Sequence, residues 1–214
     1  MPLYKTLTDS QSKVLIWKVT ETEVALANGI TLTTHCQKRM LGMKSEMHRR
    51  AFLSIRHLLG LEGYQDSDLI YNQFGKPHLK DGTHISISHS HNFTGIILSG
   101  TCEVGIDLEK HRDKILRIAH KFTPIEEYRT IANAEALIQK LTQVWCAKEA
   151  LYKIYATPGL SFLKHIIVKD FAFEDDSTVA EILYEGQSSM YSVTFDNFEG
   201  FSLGYASTLN TNQN

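Results

Sequence analysis

Seven residues, VGIDLEK (Val104–Lys110), constrain this chain more than any other stretch. Val104, Ile106 and Leu108 alternate with Gly105, Asp107 and Glu109, which is the period of a strand with two unlike faces. The apolar set faces a core. The other set carries two carboxylates roughly 6–7 Å apart along the strand, with Gly105 leaving open space beside them. Like charges this close raise each other's pKa unless a cation relieves them. Such oxygen donors suit a hard divalent ion such as Mg2+, which keeps water and bridges to phosphate. A solvent-facing strand edge, with Glu109 paired to Lys110 or Arg112, fits the same pattern.

A second stretch, VWCAKEALYKIY (Val144–Tyr155), sets Lys148, Glu149 and Lys153 among apolar and aromatic residues. Trp145, Glu149 and Lys153 recur at i, i+4 and i+8 and share one side of a helix. A third carboxylate flanked by lysines suits a metal-bound polyphosphate. The carboxylate completes the ion's ligands and the ammonium groups meet phosphate charge. A plain surface Glu–Lys pair fits the same spacing. A third stretch is FGKPHL followed by ISISHSHN. Gly75 and Pro77 hold Lys76 in a tight turn, and Ser88 and His89 end a strand where polar side chains can meet phosphate. His84, His89 and His91 lack any recognised zinc-ligand spacing.

The chain's 214 residues suit one large domain or two small ones. A formal net charge of −2 provides no global basic field for nucleic acid. Cys36, Cys102 and Cys146 are odd in number and widely spaced, which argues against a disulfide framework and for a reducing compartment. The first residues lack a basic start followed by an apolar run, so no signal peptide is expected. No stretch of apolar residues is long enough to span a membrane. The expectation is a cytoplasmic protein.

Strand signals cover Lys13–Val19, LIYNQFGKPHL, two runs joined near Asn92, and Cys102–Lys110. Leu41, Met47, Ala51, Ile55, Leu58 and Leu59 predict one helix over 34–59 stopped by Gly60. Its other face carries Lys38, Arg39, Lys44, Arg49, Arg50 and Arg56. Further helices are predicted over 112–130 and 133–156, the latter ended by TPGLSF. HIIVKDFAF, VAEILYE and MYSVTFDNFEGFSLGYA predict three final strand-like runs. This order, strand, helix, strands and again strand, helices, strands, predicts an α+β chain of two similar lobes meeting near residue 103. The lobes are expected over 1–103 and 104–214.

FGKPHL, ISISHSH, VGIDLEKHR, KFTPIEEY, VWCAKEALYK and TPGLSF occur together and in order, over residues 74 to 162. The chain thereby resembles the 4'-phosphopantetheinyl transferase superfamily, in its longer, pseudo-dimeric type that activates peptide and polyketide synthetases. EMHRRAFLSIRHLL is a weaker match. The resemblance implies transfer of 4'-phosphopantetheine from coenzyme A to a serine of an apo acyl or peptidyl carrier protein. Adenosine 3',5'-bisphosphate would be released, as by a holo-[acyl-carrier-protein] synthase. It implies that Asp107, Glu109 and Glu149 ligate Mg2+, with Mn2+ as an alternative ion. Lys148 and Lys153 would face phosphates, and Lys76, Ser88 and His89 would hold the coenzyme, with His89 near its 3'-phosphate. Arg49 would be a further phosphate contact. Glu149, with Asp107 and Lys153, would be catalytic, Glu149 taking the serine proton directly or through water. Glu126 matches a family glutamate near the metal. Lys38 and Arg39 do not align with the family's upstream basic residues and are left outside the site.

The resemblance further implies a monomer, since two lobes in one chain can form the cleft that shorter relatives build between subunits. No nucleic acid or membrane partner is expected. Two other classes share these residues: a Mg2+-dependent nucleotide phosphohydrolase, and a non-catalytic coenzyme A or carrier-binding module.

Overall fold

Alternating apolar residues become antiparallel strands in both halves of the chain. The computed structural model describes residues 3–124, 128, 131, 133–156 and 158–209. The chain divides into two units, Met1–Cys102 and Glu103–Asn214.

Among the described residues, the first unit holds a four-stranded antiparallel sheet of β1 (Leu3–Thr8), β2 (Lys13–Lys18), β6 (Phe93–Ser99) and β5 (His84–Ser90), in that order. A short hairpin pairs β3 (Leu69–Tyr71) with β4 (Pro77–Leu79). The helices are α1 (Glu23–Ala27), α2 (Thr34–Leu41) and α3 (Glu46–Leu61). Leu53, Ile55, Leu58 and Leu59 of α3 share a buried cluster with Leu15, Trp17 and Ile96 of the sheet.

The single helix predicted over 34–59 is two. Gly42 caps α2, and the Ser45 hydroxyl accepts the His48 N–H to start α3 anew. Local capping wins over helix continuity here because it satisfies amide groups that a broken helix leaves open. Leu41 therefore lies outside the apolar face and is 86% exposed, and Met47, in the first turn of α3, is half exposed. The second helix runs through Gly60 to Leu61. Arg56 does not belong to a solvated face. It is buried, with Nε donating to Asp66 Oδ1 at 2.8 Å. Asp66 Oδ2 in turn accepts from the amide and hydroxyl of Thr33, the N-cap of α2.

The second unit holds a five-stranded antiparallel sheet of β7 (Val104–Lys110), β11 (Phe201–Thr208), β10 (Gln187–Phe198), β9 (Ser177–Tyr184) and β8 (Ile166–Val168), in that order. The last predicted run is a hairpin. Glu199 and Gly200 both take positive φ, as do Glu185 and Gly186 at the preceding turn, the conformation that tight two-residue hairpin loops require. Of the helix predicted over 112–130, the described part is α4 (Lys114–Ile118) and a 3-10 turn at Ala119–Lys121. The long helix α5 (Ala134–Tyr155) begins at Asn133, whose Oδ1 accepts the Glu135 and Ala136 amides. Leu141, Val144, Ala147, Ala150, Leu151 and Ile154 bury one face of α5 against Ala180, Ile182, Val193 and Ala206.

Two glycines set how closely α5 lies on this sheet. A Cβ at Gly105 would stand 2.0 Å from the Ala150 carbonyl oxygen, and one at Gly204 would stand 2.9 Å from Cys146 Cβ. Gly105 thus leaves no open space beside the carboxylates: the helix backbone fills it. Gly105→Ala is expected to lower stability by roughly 1–3 kcal/mol, the usual cost of overpacking, read by urea denaturation. Gly60→Ala, where an added methyl meets nothing within 4 Å, is expected to be neutral or to stabilise by up to about 1 kcal/mol.

Candidate functional site

Antiparallel pairing sets Gly105 opposite Ala206, Asp107 opposite Gly204 and Glu109 opposite Ser202. Side chains directly opposite share a face of the sheet, so the carboxylates stand on the face that α5 covers. Asp107 is buried, and Glu109 is about one-third exposed. The close approach at Ala150 brings the preceding residue, Glu149, and the next turn's Lys153 over this part of β7. Lys153 Nζ donates to Asp107 Oδ1 at 2.8 Å and to the Ile106 carbonyl at 2.7 Å.

Glu149 reports the cluster's electrostatics. Burial raises its carboxyl from 4.5 to about 7; the Asp107 charge adds to the rise, Lys153 opposes it, and Glu109 adds again. The third carboxylate thus reaches the other two, in the sense that each acts on its proton. Cys146, one turn earlier on α5, is fully buried, and its thiol donates to the Ser202 carbonyl at 3.4 Å. Burial first, then Asp107 and Glu109, push that thiol well above its usual range. It is a neutral packing group rather than a nucleophile. His111, beyond the end of β7, is held below the usual imidazole range by burial. Ser202 Oγ donates to Asn197 Oδ1 at 2.7 Å and accepts from His111 Nε2–H at 2.8 Å.

Lys148 takes another direction from its neighbours. It is 3% exposed and donates to the carbonyls of Phe162 at 2.7 Å and Ile166 at 2.6 Å. As placed, this ammonium serves the backbone after α5, not an open phosphate site. Trp145, on the Glu149 side of the helix, packs between Phe122 and Phe162, with ring centroids 5.1 and 5.4 Å away. Trp145 also walls a cavity of about 150 Å³ with Glu109, Ile115 and Ile118. Glu126 lies outside the described residues.

Three carboxylates that feel one another are the donor set a hard divalent ion prefers. Among the described residues, however, no three His, Cys, Asp or Glu side chains form a ready-made metal site. Lys153 already compensates Asp107, and Glu149 holds its proton to near neutrality. The donors fit such an ion in kind. Its binding through Glu149 requires that Glu149 ionise, while the Lys153 ammonium already holds Oδ1 of Asp107.

In the first unit, Lys76 is half-buried at the exit of a tight turn. Asn72 Oδ1 accepts the amides of Phe74 and Lys76, and Gly75 takes a positive φ of 82°. Ser88 is buried and His89 exposed, on opposite faces of β5. His89 lines a cavity of about 250 Å³ with Arg39, His48, Phe52, Tyr71 and Ile87. The Arg39 guanidinium lies 5.1 Å from the Tyr71 ring centroid, and the His48 and His89 rings meet edge to face. Arg49 is absent from this lining. Its Nε donates to both Glu23 carboxylate oxygens, at 2.9 and 2.8 Å, and its NH1 group to the Met43 carbonyl. Sequence reasoning left out Arg39 and named Arg49 where its neighbour His48 faces the cavity.

Glu149 binds its proton more tightly in the folded chain than in the unfolded one, so its ionisation opposes folding between the two pKa values. Native stability therefore falls across that window as pH rises. Glu149→Gln removes this term. The variant's melting temperature, relative to native, is expected to climb from about pH 5 to about pH 8 and level off above. Parallel curves for the two proteins would contradict the assignment.

Residues 103–206, almost the whole second unit, match the family model of the 4'-phosphopantetheinyl transferase superfamily. The match supports a place in that superfamily. No curated protein matches the chain.

Proposed function

We propose that this chain is a 4'-phosphopantetheinyl transferase of the longer, two-lobed type. It would move the phosphopantetheine arm of coenzyme A to a serine of an apo acyl or peptidyl carrier protein, releasing adenosine 3',5'-bisphosphate. The observation that carries the reading is the close seating of the α5 turn bearing Glu149 and Lys153 on the β7 segment bearing Asp107 and Glu109, on the unit that matches the superfamily. We propose Asp107, Glu109 and Glu149 as the ligands of Mg2+ or Mn2+. Once bound, such an ion would offset charge on the pyrophosphate and on the leaving bisphosphate.

The chain's own groups then have separable tasks. Lys153, which stands beside Asp107, would offer its ammonium to phosphate oxygen. Glu149, in its ionised form, accepts the serine proton directly or through water. In-line placement of the serine oxygen at the phosphorus does the rest, so no side chain of the transferase is covalently modified. The basic and aromatic cavity around His89 suits a phosphorylated nucleoside: Tyr71 offers a partly exposed ring, and Arg39, His48 and His89 offer charge or hydrogen bonds. Lys76, on its rigid turn, is proposed as a further coenzyme contact, with Ser88 supporting the end of β5. Arg49, as placed, anchors α1.

Mixing the protein with coenzyme A, Mg2+ and a panel of apo carrier proteins, then weighing each carrier intact, tests the reading. A gain of one phosphopantetheine is expected on at least one carrier. Hydrolysis of the coenzyme with no carrier gain would point to a phosphohydrolase, and binding without turnover to a non-catalytic module. Glu149→Gln should slow transfer by about 10²–10⁴-fold. Because raising pH ionises Glu149, Mn2+ affinity measured by electron paramagnetic resonance should tighten through neutrality. Affinity independent of pH would remove Glu149 from the ligand set.

A further inference from the structure

Lys148 and Lys153 both lie within one helical turn of Glu149, yet the structure gives them opposite surroundings. Successive residues turn by about 100° around a helix, which takes Lys148 off the Trp145–Glu149–Lys153 side. Its ammonium enters the segment after α5 and meets the carbonyls of Phe162 and Ile166, four residues apart. That segment is a series of turns. The Ser161 amide donates to His165 Nδ1, and the His165 amide donates to the Ser161 carbonyl. Phe162 lies in a turn and Ile166 opens the edge strand β8, and buried carbonyls in turns or on the open side of an edge strand lack ladder partners and need a donor. A buried ammonium needs several acceptors in return. The two requirements satisfy each other at Lys148.

The clamp holds one side chain in particular. The Phe162 ring stands 5.4 Å from Trp145 and 5.4 Å from Tyr152, and Trp145 walls the cavity beside Glu109. We propose that Lys148 is a positioning residue: it fixes Phe162 against Trp145 and so shapes the apolar wall next to the carboxylates, rather than contacting phosphate. What that wall does in catalysis rests on the transferase reading; the role of Lys148 as a clamp does not.

Acylation of surface amines on the native chain, followed by peptide mass analysis, is the first test. Lys148 should stay unmodified, with or without coenzyme A, while the exposed Lys80 and Lys121 react. A Lys148 that reacts as fast as Lys121 and is shielded by the coenzyme would overturn the proposal. The second test is Lys148→Met. Its affinity for coenzyme A should stay within about twofold of native, and amide exchange at Phe162–Ile166 should accelerate at least about tenfold. The Trp145 indole N–H resonance should shift as the Phe162 ring moves, while that of Trp17 stays in place. A tenfold loss of coenzyme affinity with unchanged exchange and an unmoved Trp145 resonance would refute the clamp. If the native chain binds no coenzyme A, the transferase reading falls, and the acylation pattern still decides Lys148.

Discussion

The close seating of α5 on β7 and β11 governs the second unit. Gly105 and Gly204 remove the two side chains that would hold the helix off the sheet, and the Ala150 carbonyl and Cys146 occupy the room they leave. Small residues on the helix, Ala147 and Ala150, complete the contact, and larger ones, Leu141, Val144, Leu151 and Ile154, fill the core around it. Once that spacing is set, Glu149 has no freedom to avoid Asp107 and Glu109. The clustered carboxylates are thus placed by packing, not by their own attraction. Packing can hold groups together at a cost in electrostatic energy that like charges would never choose.

That cost is visible in how the cluster is balanced. Lys153 lends its charge to Asp107, and Glu149 keeps a proton to about pH 7. Cys146, wedged beneath the same cluster, is kept neutral by the same field and by burial. Held in this state the cluster is compatible with folding, because Lys153 and the Glu149 proton offset its like charges.

The chemistry of the site was more legible in the amino acids than its geometry. Alternation in VGIDLEK put Asp107 and Glu109 on one face, and helical spacing put Trp145, Glu149 and Lys153 on one side; the structure has both. Gly105 was legible as special but not as a seat for the helix, because a missing side chain does not say what takes its place. Helical spacing set Lys148 off the side that Glu149 and Lys153 share, but residue type gave both lysines the same task. The difference lies in two carbonyls 14 and 18 residues further on, and no periodicity reports them. In the first unit, apolar spacing carried the eye across Gly42–Ser45 and joined two helices into one. The Glu-Gly pairs at 185–186 and 199–200 marked hairpin turns, but apolar residues on either side of the second masked it.

The account stands on Glu149 sharing one electrostatic centre with Asp107 and Glu109. Carbon-13 NMR of the Glu149 side-chain carboxyl, followed against pH in the metal-free protein, measures this directly. A midpoint near 7 is predicted, lowered when Asp107 is replaced by Asn because the neighbouring charge is gone. A midpoint near the ordinary value of 4.5, indifferent to Asp107, would contradict it.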